Sequence, residues 1–424
     1  MVTTVAIVLG GVAAVNAVVD PFGMYRVVEW PGHNTYKPAI AHRVRLLKAY
    51  EVRRLQPDSI LLSSSRGHAP FRTTHAGWAQ AAKRRYNLAF DGATTSEMLA
   101  YLRHAAAGGA LELVLLGLDS YHPAIRTVVN KPDFDPSRLR TGGGWDPLRM
   151  AVADARLLVS VDTLSETLRT LESQRAQDPE VLSLAPDGQR AGEVRYRGRT
   201  SFIERGPRAY FDESVREFVG DALASRIPAR RAGTPAVAGA LPPPDPHTSL
   251  DYIREIVRFC RERNIDLRIF LTPSHANAIE VREATGTWGW TDDGKRALVR
   301  ALAEDAAAHP GARPVPLYDF DIVSSITTEP LPADGSRDEM RFFWDASHAK
   351  QNVGDMILDW IFGVRAPGNG LPTDVGVMLT PATIESALER NRAAAVRWRQ
   401  QHPEDVARIA SWVGAFKRTH GIVD

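Results

Sequence analysis

Short apolar runs bounded by turn residues alternate with amphipathic segments through much of this chain. Ile60-Leu61-Leu62 follows a Pro57-Asp58 turn and stops at Ser63-Ser64-Ser65-Arg66, the pattern of a buried strand with a polar end. Tyr86-Asn87-Leu88-Ala89-Phe90 reads as a second strand, closed by Asp91-Gly92. The run 111–118 (LELVLLGL) is the most hydrophobic short stretch beyond the amino terminus and reads as a central parallel strand, followed by Asp119-Ser120-Tyr121-His122. Leu267-Arg268-Ile269-Phe270-Leu271 and a short piece near 315–318 supply a fourth and a fifth strand. Helical spacing fills the gaps. Residues 39–55 form a basic amphipathic segment, and 96–107 carries Glu97 in its first turn and Gly108-Gly109 at its end. Leu250, Ile253, Ile256, Val257 and Cys260 recur at helical spacing behind Thr248 and Asp251 in capping-box positions. Further helices are expected at 294–309, after the lead-in Phe342-Phe343-Trp344-Asp345-Ala346-Ser347-His348 up to Phe362, and after Thr380 with Pro381 at the first helical position. Strands separated by helices of this length predict an α/β fold with a five-stranded, mainly parallel, doubly wound sheet.

Between 126 and 247 the alternation stops. A Gly142-Gly143-Gly144 hinge precedes a helical stretch at 148–175, a polar turn-rich stretch at 178–205 and a linker at 227–247 containing Pro242-Pro243-Pro244. The chain therefore divides into 1–19, a connecting segment and helix at 20–56, a first core part at 57–125, the mostly helical insertion at 126–247, a second core part at 248–365, and carboxyl-terminal helices at 366–424. Within the insertion, Val194-Arg195-Tyr196-Arg197-Gly198-Arg199 has two readings, a contact for an anionic or sugar substrate and a solvated loop.

The first residues change the picture. Val2–Val19 holds no charge and is mostly Val, Ala, Ile, Leu and Gly, a length at the lower limit for a bilayer span. It lacks a basic flank and a small-x-small cleavage pattern, so it reads as an uncleaved anchor with the remaining chain outside the cytoplasm, against the alternative of a buried core helix. Composition adds exclusions. Over 424 residues, 44% hydrophobic and 24% charged residues provide for a sizeable core, and a net charge of +2 argues against nucleic acid as a partner. The one cysteine, Cys260, rules out an internal disulfide and a multi-cysteine metal site, and it lies on the apolar face of its helix. No histidine cluster has metal-ligand spacing, so neither metal nor cofactor is expected.

Acyl transfer by a serine needs a nucleophile, a base, a group that orients the base, and donors for the oxyanion. Asp345-x-x-His348 supplies base and orienter together: placed at a helix start, the carboxylate can accept the imidazole Nδ1–H and leave Nε2 to the substrate. Ser65 stands at the end of the first strand, with Ser64 as a rival nucleophile and Arg66 beside it. His122 and His275 follow predicted strands and are candidates to line the pocket; satisfied loop histidines are the alternative.

A serine after the first strand, a glycine turn after the second, Gly117-Leu118-Asp119 after the third and Asp345-x-x-His348 before the last core helix together resemble the SGNH (GDSL-type) hydrolases. The resemblance covers about 57–125 and 248–365. It implies a three-layer flavodoxin-like fold, Ser65 as nucleophile, Gly92 as a backbone oxyanion donor, and Asp345 and His348 as the rest of the triad. Asp20-Pro21-Phe22-Gly23 together with the Ser-Ser-Arg turn is similar to a membrane-anchored bacterial group related to alginate O-acetylation proteins. The implied activity is that of a serine esterase or O-acyltransferase outside the cytoplasm, periplasmic or at the cell surface. Its substrate would be an acylated saccharide, a cell-envelope polysaccharide or a small ester. The alternative is a catalytically silent relative that binds polysaccharide or assembles with export machinery. One departure separates them. The family places an asparagine amide where this chain has Asp119, and an ionised carboxylate repels an oxyanion; it helps only if protonated, or if it holds Arg66.

Overall fold

Every residue of the first strand is buried, because the sheet it belongs to is covered on both faces. The computed structural model describes residues 2–78, 84–120, 130–131, 133–140, 147–175, 178–226 and 247–422. The predicted hinge at 142–144, His122 and all but the last residue of the 227–247 linker lie outside these residues.

In chain order, helix α1 (Val2–Val19) and α2 (Val44–Leu55) precede β1 (Ser59–Leu62), β2 (Arg85–Asn87), α3 (Thr95–Ala106) and β3 (Leu113–Leu118). The insertion contributes α4 (Pro147–Leu158), α5 (Val161–Glu172), α6 (Pro179–Leu182), α7 (Gly192–Arg197) and α8 (Thr200–Leu223). Then come α9 (Ser249–Glu262), β4 (Asp266–Leu271), α10 (Ala276–Ala284), α11 (Trp288–Ala308), β5 (Leu317–Asp319) and α12 (Gln351–Phe362). A small ribbon, β6 (Ala366–Pro367) and β7 (Gly370–Leu371), is followed by β8 (Val377–Met378), α13 (Ile384–Gln401) and α14 (Pro403–His420).

Among the described residues the sheet has six strands in the order β2-β1-β3-β4-β5-β8. The first five run parallel, and β8 adds an antiparallel edge through Tyr318 opposite Met378. Alternate residues of the central strands feed two cores. Ile60, Leu62, Val114 and Leu116 pack with Met98 and Leu102 of α3 and Ile253 and Ile256 of α9. Leu61, Leu113 and Leu115 pack on the other face with Phe211 and Val215 of α8, Val353 and Ile357 of α12 and Ile409 of α14. The result is a three-layer α/β arrangement. Its order 2-1-3-4-5 reverses direction between β1 and β3, and such sheets bind ligands outside the carboxyl ends of the strands at that reversal.

Several expected elements come out differently. The sheet has a sixth strand, too short to register as a run. Residues 39–55 are a 3-10 turn (Pro38–His42) and then α2, separated at Arg43 by a non-helical backbone. The stretch 148–175 is two helices, because Ser160 turns extended and its hydroxyl caps α5 by accepting the Thr163 N–H at 3.1 Å. The turn-rich 178–205 contains α6, α7 and the start of α8, whose bend falls at Gly206, where φ is +83°. Helix α10 lacked a clear apolar stripe and went unread, and α11 starts at Trp288, not near 294. The last helices begin at Ile384 and Pro403; Pro381 sits in the preceding turn, and Pro403 takes the first-turn position instead. The capping box at Thr248 and Asp251 is present, and Cys260 is buried in the core. Among the described residues no helix is long and apolar enough to cross a membrane.

Candidate active site

The chain leaves β1 through a tight reversal. Ser64 caps a 3-10 turn (Ser65–Gly67), its Oγ accepting the Arg66 N–H at 3.3 Å. A side chain at Gly67 would place a Cβ 2.3 Å from the Ser63 Cβ, so only glycine lets the turn fold back this closely. Ser63 and Ser64 point into the protein and are buried, while Ser65 is partly open. The turn itself thus chooses among the three serines.

Asp345 and His348 arrive on an irregular loop ahead of α12. They are not in a helix, as the three-residue spacing had suggested. The loop is a narrow excursion closed by Trp344 N–H to His348 O at 2.8 Å and Lys350 N–H to Phe342 O at 2.7 Å. It is clamped from two further sides: Ser214 Oγ of α8 accepts the Ala346 N–H at 2.9 Å, and the His275 N–H donates to Ala346 O at 2.9 Å. In that frame the His348 Nδ1–H donates to Asp345 Oδ2 at 2.7 Å, and the Ser65 hydroxyl donates to His348 Nε2 at 3.0 Å. Asp345 is buried, which alone would raise its pKa. The His348 ring and the N–H groups of Ser347 and His348 (2.8 and 2.9 Å) outweigh burial and hold the carboxyl at about 2. It therefore stays ionised and fixes the tautomer of the base.

Sequence reasoning missed several supports. Ser347 Oγ lies 3.2 Å from Asp345 Oδ1 and 3.1 Å from His348 Nδ1. Tyr196 of α7 lies against the His348 ring at 5.5 Å between centroids, and its other neighbour is Trp344, stacked at 5.5 Å. Glu217 of α8 is near enough for Asp345 to repel its charge; desolvation and that repulsion raise its pKa. The one signal for Tyr196 was the 194–199 segment, and of its two readings the solvated loop is not what forms, since Arg195 and Tyr196 are buried in α7. The segment is part of a helix whose arginines are paired within the chain, Arg195 to Asp91 at 2.9 Å and Arg197 to Glu339 at 2.6 Å.

The other predicted residues divide. Gly92 lies in the turn after β2 with φ at +60°, and Lys131 packs over it so closely that a Cβ would sit 2.6 Å from the lysine Cε. Asp119, at the end of β3, faces Arg66: Arg66 Nε is 3.5 Å from Asp119 Oδ1, which also accepts the Thr272 hydroxyl at 2.8 Å. Arg66 continues to Ser274 Oγ at 2.8 Å and lies over the Phe218 ring. Ser274 accepts from Arg282 at 3.2 Å, and Arg282 pairs with Asp321, which takes the Ser120 hydroxyl. A continuous polar chain therefore runs from the Ser65 turn along the carboxyl ends of β1, β3, β4 and β5. His275 does not line the opening. It is buried, caps α10 by accepting the Asn277 N–H at 3.2 Å, and places Nε2 2.9 Å from Glu329 O, between Phe211 and Phe343. Burial holds it neutral, with a pKa near 4. It is the satisfied histidine of the two alternatives. Among the described residues no group of His, Cys, Asp or Glu side chains is gathered to hold a metal ion.

No family model matches this chain, and no curated protein matches it. What the geometry offers is a partly open hydroxyl, an oriented imidazole and an ionised carboxylate in line at the topological switch point of the sheet.

Proposed function

We propose that this chain is an SGNH-type serine esterase or O-acyltransferase acting on acylated saccharides outside the cytoplasm, attached to a membrane through α1. The Ser65–His348–Asp345 relay, at 3.0 and 2.7 Å, carries the catalytic part of that reading. The saccharide substrate and the membrane location follow from the resemblance described above and from the apolar start of the chain.

Ser65 Oγ attacks the acyl carbonyl while its proton passes to His348 Nε2, and the Asp345 carboxylate stabilises the imidazolium without taking the proton. Collapse of the tetrahedral intermediate breaks the ester C–O bond. The leaving alkoxide takes the proton from His348, and the acyl group remains on Ser65. Water or a sugar hydroxyl then gives its proton to His348 and attacks the acyl-serine; collapse breaks the bond between Ser65 Oγ and the acyl carbon, Ser65 takes the proton back from His348, and the acid or the new ester leaves. Backbone N–H groups in the Ser65 turn and at Gly92 are the oxyanion donors on this reading. Asp119 is not one of them, because its carboxylate is turned to Arg66 and Thr272.

That same observation favours a second reading, a silent relative that binds polysaccharide or serves export machinery, since no amide donor stands at 119. A fluorophosphonate probe decides between them. The wild-type chain becomes covalently labelled on Ser65, Ser65→Ala abolishes labelling, and Ser64→Ala preserves it. A wild-type chain that melts cooperatively yet resists the probe removes the enzyme reading.

A further inference from the structure

Where α1 meets α4 and α5, polar side chains are buried between the helices while large apolar ones stay exposed, although α4 also sends Met150 and Leu157 to the core. Asn16, the polar residue of the last turns of α1, is buried; its Nδ2 donates to Leu158 O at 2.7 Å, and its Oδ1 accepts the Thr167 hydroxyl at 2.7 Å. The buried face of α5 is Thr163, Thr167 and Thr170. Its apolar stripe runs along one flank of that face and is open, with Val161 81% and Leu168 53% exposed beside the exposed Asp162, Arg169 and Glu172, and the outer face of α4 adds Leu148 at 71%. A water-facing helix has the opposite arrangement. Small and hydroxyl side chains between helices, with apolar ones outside, are the packing of helices in hydrocarbon.

Residues 3–11 of α1 are exposed around the whole circumference of the helix. A protein groove covers one side of a helix; only an apolar medium surrounds all of it. This free portion rises about 13 Å at 1.5 Å per residue, roughly half of the ~30 Å hydrocarbon layer. The rest of α1 is fixed to the domain: Lys37 Nζ caps Val19 O and Asp20 O at 2.9 and 2.8 Å, and Asn34 Nδ2 reaches Val18 O at 3.0 Å and Val28 O at 2.7 Å. The Asn34 bonds bring Val27, Val28 and Trp30, all exposed, to the same end of the molecule. Tryptophan is the residue favoured at the boundary between headgroups and acyl chains.

We propose that α1, the outer faces of α4 and α5, and the Val27–Trp30 loop form one lipid-facing surface that seats the catalytic domain directly on the bilayer in a fixed orientation. The proposal rests on the membrane attachment given above, not on the catalytic reading, and adds that the insertion, not the amino terminus alone, enters the lipid.

The test uses the full chain in phosphatidylcholine vesicles, with single cysteines at exposed positions carrying a bimane fluorophore and Cys260 left in its buried place. The expected result is quenching by brominated phosphatidylcholine at Ile7→Cys, Leu148→Cys and Leu168→Cys, about twofold or more for groups lying in the acyl region, and none at Val396→Cys on α13. Quenching at Ile7→Cys alone leaves a tethered chain and overturns the seat. No quenching at any position overturns the attachment as well. If Leu148→Cys and Leu168→Cys are unquenched and the vesicle-bound chain cross-links to itself through them, a second copy covers the face and the lipid proposal is wrong.

Discussion

Replacing Asp119 with asparagine tests the buried polar chain behind the Ser65 turn most directly. Asp119 and Arg66 are both buried, with side chains 2% and 6% exposed, and their charges approach to 3.5 Å. At an effective dielectric constant near 20 that separation corresponds to about 5 kcal/mol of attraction. Removing one partner of a buried pair typically costs about 3–5 kcal/mol, because the other charge is left uncompensated. Asparagine keeps an acceptor for the Thr272 hydroxyl, and Arg66 keeps Ser274, so the loss belongs at the lower end of that range. Unfolding entropy of about 2.1 cal/mol/K per residue over a chain of this length gives about 0.9 kcal/mol/K, so the melting temperature should fall by about 3–4 °C. Calorimetry on Asp119→Asn, Arg66→Met and the double variant supplies the assay. Because each partner's removal strands the other, the double variant should lose less than the sum of the singles. On the proposed function, the same variant should hydrolyse a simple acyl ester more slowly, since the turn that presents Ser65 loosens. An unchanged melting temperature with faster turnover would refute this reasoning and make Asp119 an oxyanion-facing residue after all.

On the proposed mechanism, Asp345→Asn leaves the fold intact and lowers ester turnover on the order of 10⁴-fold, because the wrong tautomer of His348 is then held; steady-state kinetics measure it. Gly354 packs so tightly on the loop after β1 that a Cβ would lie 1.8 Å from Pro70 O, so Gly354→Ala should cost roughly 1–3 kcal/mol or more, read as a lowered melting temperature. Burial keeps His68, His104 and His275 neutral, with pKa values near 3, 4 and 4. Their stabilisation is complete above the unfolded value near 6.5 and is lost as pH falls toward the folded values; at pH 5 the loss is on the order of 2 kcal/mol each. Asp345 adds to this only below about pH 4, its contribution fading as pH drops through about 2. Melting temperatures that stay level between pH 7 and pH 5 would contradict the histidine assignment.

The insertion has a larger part in the site than its sequence suggested. Helix α7 brings Tyr196 to the imidazole, and α8 holds the Asp345–His348 loop through Ser214 and covers Arg66 with Phe218. These contacts link residues more than a hundred positions apart, and no local pattern in 178–226 signals them.

What the chain declares locally is the set of strands and where they end. Apolar runs of four to six residues are buried on both faces of a parallel sheet, and their period and bounding turns are properties of adjacent residues. The placement of Ser65, Gly92, Asp119 and His348 near the carboxyl edge follows from that alternation, as does the apolar character of α1. Which serine meets the base was open, because three adjacent serines differ only in direction, and the 3-10 turn that Gly67 permits sets that direction. The role of Asp119 was open for the same reason: a carboxylate at a strand end is defined by what the neighbouring strands bring to it. Arg66, Thr272 and the Ser274–Arg282–Asp321 chain come together only when β1, β3, β4 and β5 lie side by side. The fate of the apolar stripes on α4 and α5 was likewise tertiary. Periodicity shows that a helix has an apolar face, but whether that face turns inward depends on the polar partners, here Asn16 and Thr167, that claim the other side.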